Sequence, residues 1–410
     1  MTESGAVSSN AGAVSSNAGA VSSNAGVAAR RLAIEALERI EVDGAYANLL
    51  APKLLAESDL DERDRAFATQ LIYGATRMMR ALDYLVDRFI DRDDVDSRAR
   101  AALRIGAYQL AYLRTPSHAA VDSTVAATPK RARGFVNAVL RKVAKAGSAE
   151  ETDWPTDAIR LSYPDWLVKR LEVDLGDRAH SVLAAMNEAA ITHVRDDGYR
   201  QDLASQEVSS LIRVDGGLVL DLCAAPGGKA TFIAGANEGA TVIGSDLHEH
   251  RAGLVQTAAV DTQTAVHALV ADATNPPYRL AAAQAVLIDA PCSGLGSLRR
   301  RADARWRIKP SDIDNLANLQ FDLIKAASEL VEPGGQVLYS VCTLTTSESL
   351  AVDDRVAAEL PQLVPEQLSE PWEPFGRGGR LLPDTFAGDG MAAFSYRVTA
   401  SHFESGRSAS

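Results

Sequence analysis

Near its midpoint this 410-residue chain changes hydrophobic period, and no single layer of secondary structure accommodates both halves. Over about 27–146 the segments "ARRLAIEALERI", "ERDRAFATQLIYGATRMMRALDYLVDRFI", "SRARAALRIGAYQLAYL" and "RGFVNAVLRKVAKA" place apolar residues three and four apart, with charges between them. That spacing predicts amphipathic helices and an all-α domain over 27–147. Acids, Gly and Pro in "GSAEETDWPTD" end it. Past Gly216 the apolar residues come instead in short runs, "LVLDL", "TVIGSDL", "HALVADA", "AVLIDA" and "GQVLYSV". Helix-like segments at 229–236, 249–260 and 311–330 separate most of them, which predicts a doubly wound α/β domain with a parallel sheet over 207–400. "MAAFSYRV" near the end reads as an antiparallel edge strand.

Residues 1–26 contain three tandem copies of "AVSSNAG", a small polar tract with no apolar face to bury, and are expected to be disordered, as is the tail at 401–410. The tract lacks the basic start and apolar core of a signal peptide, so a cytoplasmic location is expected. No apolar run approaches the ~20 residues a membrane helix needs. Three cysteines, an odd number in a long chain, argue against a disulfide framework and for a reducing compartment. A net charge of −12 excludes a surface that grips nucleic acid everywhere, yet two basic patches stand out. Lys130, Arg131, Arg133, Arg141, Lys142 and Lys145 form one; Arg299, Arg300, Arg301, Arg305, Arg307 and Lys309 form the other, around Asp303 and Trp306. A solvated face is the plain alternative for the first.

In an open parallel sheet ligands bind at the carboxyl ends of the strands, and the unusual residues of this chain gather there. "DLCAAPGGK", 221–229, follows the first strand with a Gly-containing turn that opens a helix, where backbone amides can approach a ligand. Asp246 ends the second strand and Asp272 the third, placed for ribose hydroxyls and for an adenine amino group. Each feature alone has a structural alternative, a tight turn or a helix cap; their order in successive βα units points to a nucleoside cofactor. Neither G-x-G-x-x-G nor G-x-x-x-x-G-K-[ST] is present, which disfavours NAD and ATP. Cys292 in "DAPCSGLG" and Cys342 in "LYSVCTL" end the fourth and fifth strands beside the same crevice, while Cys223 lies inside the cofactor turn. No C-x-x-C or H-x-x-x-H pair accompanies them, so no metal is expected. Thiol, carboxylate and nucleoside cofactor together suit methylation of cytosine at carbon 5. A thiolate adds at carbon 6, an acid stabilises charge at ring nitrogen 3, and a second thiol assists release. Which of the two cysteines attacks is left open by these residues alone.

"DLCAAPGGK", "DAPCSGLG" followed by "RRRADARW", and "YSVCT" resemble the RNA (cytosine-5) methyltransferase family, in its bacterial 16S ribosomal RNA branch known as RsmB, Sun or Fmu. "DRAFATQLIYGATR" and "FVNAVLRK" resemble the NusB-like RNA-binding domain of that branch, and the likeness runs over about 28–398. The resemblance implies a Rossmann-like S-adenosylmethionine-dependent methyltransferase domain preceded by an all-α NusB-like domain. It further implies Cys342 as nucleophile, Cys292 as the release cysteine, and Asp289 close to the cytosine ring. The implied cofactor positions are Cys223, Ala224, Ala225, Pro226, Gly227, Gly228, Lys229, Asp246, Asp272 and Asp289. RNA is the implied partner, 16S rRNA first; the two basic patches offer Arg299, Arg300, Arg301, Arg305, Lys130, Arg131 and Arg133 as its contacts, and a monomer is expected.

The chain departs from the family pattern in three places. The insert that forms a small RNA-binding subdomain is mostly absent, leaving 148–206 as a linker with a shortened subdomain. Val341 and Thr343 flank Cys342 where Thr and Ser are usual. "SES" at 347–349 replaces an "ENE"-like run but keeps Glu348. Two other functions remain compatible with the sequence: a transfer-RNA methyltransferase, and a non-catalytic antitermination or ribosome-assembly factor.

Overall fold

The computed structural model describes residues 14–92 and 94–399, with side chains from residue 26 onward. The first part of the repeat tract and the 401–410 tail, both expected to be disordered, lie outside the described residues. The chain forms two compact units: residues up to 164 with Arg301–Asp303, and the rest from Asp165 onward.

The first unit is all α, as the periodicity predicts: α1 (Val14–Val42), α2 (Ala47–Ala56), α3 (Glu62–Arg77), α4 (Met79–Asp87), α5 (Ser97–Ala111), α6 (Ser117–Ala127), α7 (Arg133–Ala146) and the single turn α8 (Asp157–Arg160). Carboxylates set two of the starts, Asp61 accepting from the Asp64 N–H and Asp96 from the Ala99 N–H. The buried face of α1 carries Ile34, Leu37 and Ile40, which pack with Leu71, Ile72, Leu82, Leu85, Leu103 and Leu140. One difference from expectation is that α1 begins at Val14, within the repeats. Once the packed part beyond Val27 has nucleated a helix, each further residue adds one hydrogen bond without a new nucleation cost, so the alanine-containing repeat extends it.

The second unit opens with α9 (Asp165–Leu175), α10 (Ala179–Ala185) and α11 (Leu203–Ser210). The alternating segments follow: β1 (Gly217–Asp221), α12 (Gly228–Ala236), β2 (Ala240–Asp246), α13 (Glu249–Asp261), β3 (Val266–Val270), β4 (Ala283–Asp289), α14 (Pro310–Leu330), β5 (Val331–Val341) and α15 (Leu350–Glu359). The short β6 (Leu363–Glu366), β7 (Glu373–Phe375) and β8 (Gly378–Leu381) precede β9 (Met391–Val398). Strand order is β3-β2-β1-β4-β5-β9-β8-β7, with β6 also paired to β9. The strands through β5 run parallel and β9 antiparallel to β5.

The near-continuous apolar runs are explained by burial on both faces. Val219, Val242, Leu287 and Leu338 meet Ala230 and Ile233 of α12 and Val255 and Ala259 of α13. Their neighbours Leu220, Val286, Ile288, Val337 and Tyr339 face Phe321 and Ile324 of α14 and Val352 and Val356 of α15. After β3 the chain returns to the other side of β1, so the winding reverses between β1 and β4 and a crevice opens at their carboxyl ends. Contrary to the edge-strand expectation, β9 is interior, between β5 on one side and β6 and β8 on the other. Its "MAAFSYRV" is buried at every position but Arg397, a pattern an exposed edge does not need.

The stretch at 148–206 is not one linker. Residues up to 164 group with the first unit, and α9 and α10 belong to the second.

Candidate active site at the carboxyl ends of the parallel strands

Asp289 is the last residue of β4 and lies in register with Ser340 of β5. Its carboxylate accepts from Ser340 Oγ at 2.9 Å and from Lys229 Nζ at 2.6 Å. Lys229 is the second residue of α12, placed there by the turn that ends "DLCAAPGGK". Gly227 makes that turn at φ 111°, and a Cβ there would stand 2.8 Å from the Ala258 Cβ, so glycine is required on both counts. Burial by itself would lower the Lys229 ammonium, but the charge and hydrogen bond of Asp289 outweigh it and hold the amine protonated.

Asp221 ends β1 and is fully buried. Burial, reinforced by the charge of Asp289, pushes its carboxyl up to about 7, against the pull of Lys229 and of the Cys223 N–H. A carboxyl whose folded value is raised contributes most below its unfolded value, near ~4, and loses that contribution as the pH climbs through the folded value. Asp221→Asn is therefore expected to stabilise the protein by about 2 kcal/mol or more at pH 8 and to change little at pH 4. Urea melts of both proteins at the two pH values measure this, and a difference independent of pH would contradict it.

Cys292 and Cys342 meet with their Sγ atoms 3.3 Å apart. Pairing of β4 with β5 brings their loops together: the Ala290 N–H reaches Ser340 O at 3.0 Å and the Gly296 N–H reaches Cys342 O at 2.9 Å. Gly296 must be glycine, because an added Cβ would fall 2.0 Å from the carbonyl oxygen of Gly390. Both thiols are partly exposed. The hydrogen bond from Cys292, helped by Lys229, lowers Cys342 against burial and the acids Asp289 and Asp389. The same hydrogen bond, burial and the charge of Glu348 push Cys292 well up. Both directions favour a thiolate on Cys342 over one on Cys292. Cys223 is held up by burial and by neighbouring Asp221, which makes it a poor nucleophile.

The other predicted positions divide. Asp246, at the end of β2, accepts from the His248 N–H and Arg251 Nε, each of its oxygens retaining a second lone pair. Asp272 is exposed two residues beyond β3 and holds the Thr274 N–H and hydroxyl. Lys130 and Arg131 are exposed, the latter paired with Asp96. Arg133 instead turns inward to the carbonyls of Ala126 and Thr128 at the end of α6. Arg300 and Arg301 are exposed, Arg300 bound to Asp389.

Arg299 and Arg305 are corrections to the expected RNA contacts. Arg299 is 8% exposed and donates to the carbonyls of Ala185, Gly388 and Pro383; Arg305 is fully buried and donates to Asn187 Oδ1. Burial, with donors turned onto protein oxygens, keeps both guanidinium groups away from a phosphate. Charge density along the sequence does not distinguish such an arginine from a solvated one.

Several contributors escaped the motif reading. Ser205 of α11 is 3.4 Å from Lys229 Nζ. Arg195, in a short loop closed by a Val194–Arg200 bridge, donates to Gly228 O at 2.7 Å and so braces the start of α12. Both come from the segment that departs from the family pattern, where no motif marks them. Among the described residues, no cluster of three or more His, Cys, Asp or Glu is arranged to hold a metal ion, and no helix is long and apolar enough to cross a membrane.

Comparison with known proteins agrees with both halves. A family model described as 16S rRNA methyltransferase RsmB/F matches residues 208–395, and that of the NusB family matches 27–145. The ribosomal RNA small subunit methyltransferase B of Thermus thermophilus is 35% identical over 394 residues, covering 88% of this chain and 94% of its own length. The probable counterpart of Bacillus subtilis is 31% identical over 444 residues, covering 90% and 98%. The crystal structure of PH0851 shares the fold with a TM-score of 0.72, over 91% of this chain and 98% of its own, at 20% identity. Matched along nearly its whole length by such relatives, and carrying paired cysteines beside a Lys–Asp pair where its winding reverses, the chain belongs to the RsmB/F family of 16S rRNA methyltransferases with an N-terminal NusB-family domain.

Proposed function

We propose that the protein methylates carbon 5 of a cytosine in 16S ribosomal RNA through a covalent adduct with Cys342. The observation that carries this reading is the contact of two thiols at 3.3 Å, at the strand ends next to the Lys229–Asp289 pair. S-adenosylmethionine, the methyl donor of this chemistry, supplies an electrophilic methyl group. The residues present fit such a group: Asp221 Oδ2 is buried without a hydrogen-bond partner, beside the turn at 223–229 that leads into α12. Residues 223–229 with Asp221 would line its place, and Asp246 and Asp272 would receive hydroxyl and amino groups of its nucleoside.

Cys342 Sγ, as thiolate, forms a bond to carbon 6 of the ring, and the displaced electron pair makes carbon 5 nucleophilic. The Lys229–Asp289 pair, with the Asp289 side chain 30% exposed and flanked by Ser340, is placed to pass a proton to ring nitrogen 3 as charge develops there and to take it back on release. After methylation solvent water takes the proton from carbon 5, the C–H electron pair forms the carbon 5–carbon 6 double bond, and the Cys342–carbon 6 bond breaks with its electron pair returning to Cys342 as thiolate. Cys292 assists this release from its position beside the departing sulfur. Exposed Lys130, Arg131, Arg300 and Arg301 are available to RNA phosphates.

The test is incubation of the protein with labelled donor and unmodified 16S rRNA, with transfer RNA in parallel, followed by nucleoside analysis. Label in 5-methylcytosine from ribosomal RNA is expected. Label confined to transfer RNA would move the substrate, and no label in either would support a binding factor.

A further inference from the structure

One buried acid touches both cysteine loops and takes no part in the steps above. Glu348 is fully buried, just before α15. One oxygen, Oε1, accepts from the Ser293 N–H at 2.7 Å and from Gln320 Nε2 at 3.3 Å. The other, Oε2, accepts from three hydroxyls, Ser293 at 2.6 Å, Thr343 at 2.7 Å and Thr345 at 2.9 Å. Ser293 directly follows Cys292 and Thr343 directly follows Cys342. One side chain thus grips the residue after each cysteine, through five hydrogen bonds from neutral donors.

The grip is anchored. The Tyr339 hydroxyl reaches Glu348 O at 2.6 Å and Gln320 Oε1 at 3.0 Å, and Gln320 Nε2 also reaches Pro291 O at 2.9 Å, next to Cys292. The remaining charges act asymmetrically. Lys229 on α12 and Asp389 before β9 bear on Cys342, Asp289 of β4 bears on both thiols, and Glu348 bears on Cys292. Arg300, which binds Asp389, lies on the Cys342 side as well.

We propose that Glu348 is a positioning residue that holds the two cysteine loops in register through Ser293 and Thr343, so that Cys342 is presented to attack with Cys292 beside it. Its carboxylate contacts no part of the crevice directly; it acts through Ser293 and Thr343. The sulfur spacing and the register of the two loops then have one structural origin. The "SES" departure from the family pattern retains the one side chain on which both depend. The role assigned to Glu348 rests on the proposed assignment of Cys342 as nucleophile, yet it is readable without RNA.

The experiment is iodoacetamide labelling of the full-length protein across pH 6 to 9, with peptide mapping of all three cysteines and methyl transfer measured in parallel. Wild type is expected to label at Cys342 about tenfold or more faster than at Cys292 near neutral pH. In Glu348→Gln that ratio should fall by about fivefold or more, and the pH profile of Cys342 should move to higher pH. Cys223 labelling that stays at the wild-type level shows that the domain is folded. An unchanged ratio and profile in a folded Glu348→Gln protein overturns the proposal. If Cys223 becomes reactive, Ser293→Ala and Thr343→Val decide instead, each removing one hydroxyl from the grip. Each should lower the ratio by about twofold or more, and an unchanged ratio in both overturns the proposal equally. A wild type with the expected ratio but no methyl transfer would reject the enzymatic reading and leave the role of Glu348 standing. Methyl transfer with no labelling preference would do the reverse.

Discussion

Cys342→Ala is expected to lower methyl transfer by ~10³-fold or more and to form no covalent complex with RNA, because no other thiol in the crevice is poised to replace it. Cys292 is 3.3 Å away, but its contact with Cys342, its burial and the neighbouring Glu348 all favour its protonated form. Cys292→Ala should also lose turnover, but by accumulating protein bound to RNA, since attack at carbon 6 survives while release fails. Denaturing gels of each variant with labelled 16S rRNA separate the two outcomes. If Cys292→Ala abolished the complex and Cys342→Ala trapped it, the roles would have to be exchanged.

Asp289→Asn is the second change with a large expected effect, because an ion pair and a proposed role at the ring meet on that carboxylate. It is the counter-charge of Lys229, whose side chain is 11% exposed, at 2.6 Å. Removing it leaves an ammonium that burial drives toward its neutral form, so stability should fall by about 2 kcal/mol, less than for a fully enclosed pair because Asp289 is itself 30% exposed. Loss of the proposed proton path to ring nitrogen 3 should lower methyl transfer by ~10²- to 10³-fold beyond any effect of unfolding. Urea denaturation gives the first quantity, and single-turnover rates at saturating RNA give the second. Full activity in this variant would remove Asp289 from the chemistry.

Much of the fold is legible in the sequence because its periods are physical. The helix-like segments at 229–236, 249–260 and 311–330 appear as Gly228–Ala236, Glu249–Asp261 and Pro310–Leu330. The strand runs are continuous in apolar residues because both faces of the sheet are covered. Where expectation failed, the deciding interaction was remote in sequence. Strand β9 reads as an edge until β6 and β8 pair with its far side, and Arg299 reads as a phosphate contact until its guanidinium is seen to reach carbonyls at 185, 383 and 388.

The sequence by itself determined that a helical domain precedes a doubly wound one, and that acids and two cysteines stand at strand ends. Both follow from local period and from the order of the motifs. Only the tertiary structure decided what those groups do to one another. Residues 292 and 342 are 50 apart in the chain, and the contact of their sulfurs, the Lys229–Asp289 pair and the grip of Glu348 on both loops arise when β4 and β5 pair beside β1. Which thiol holds the proton is an electrostatic property of that assembly, set by distances and burial that exist only once the sheet has formed.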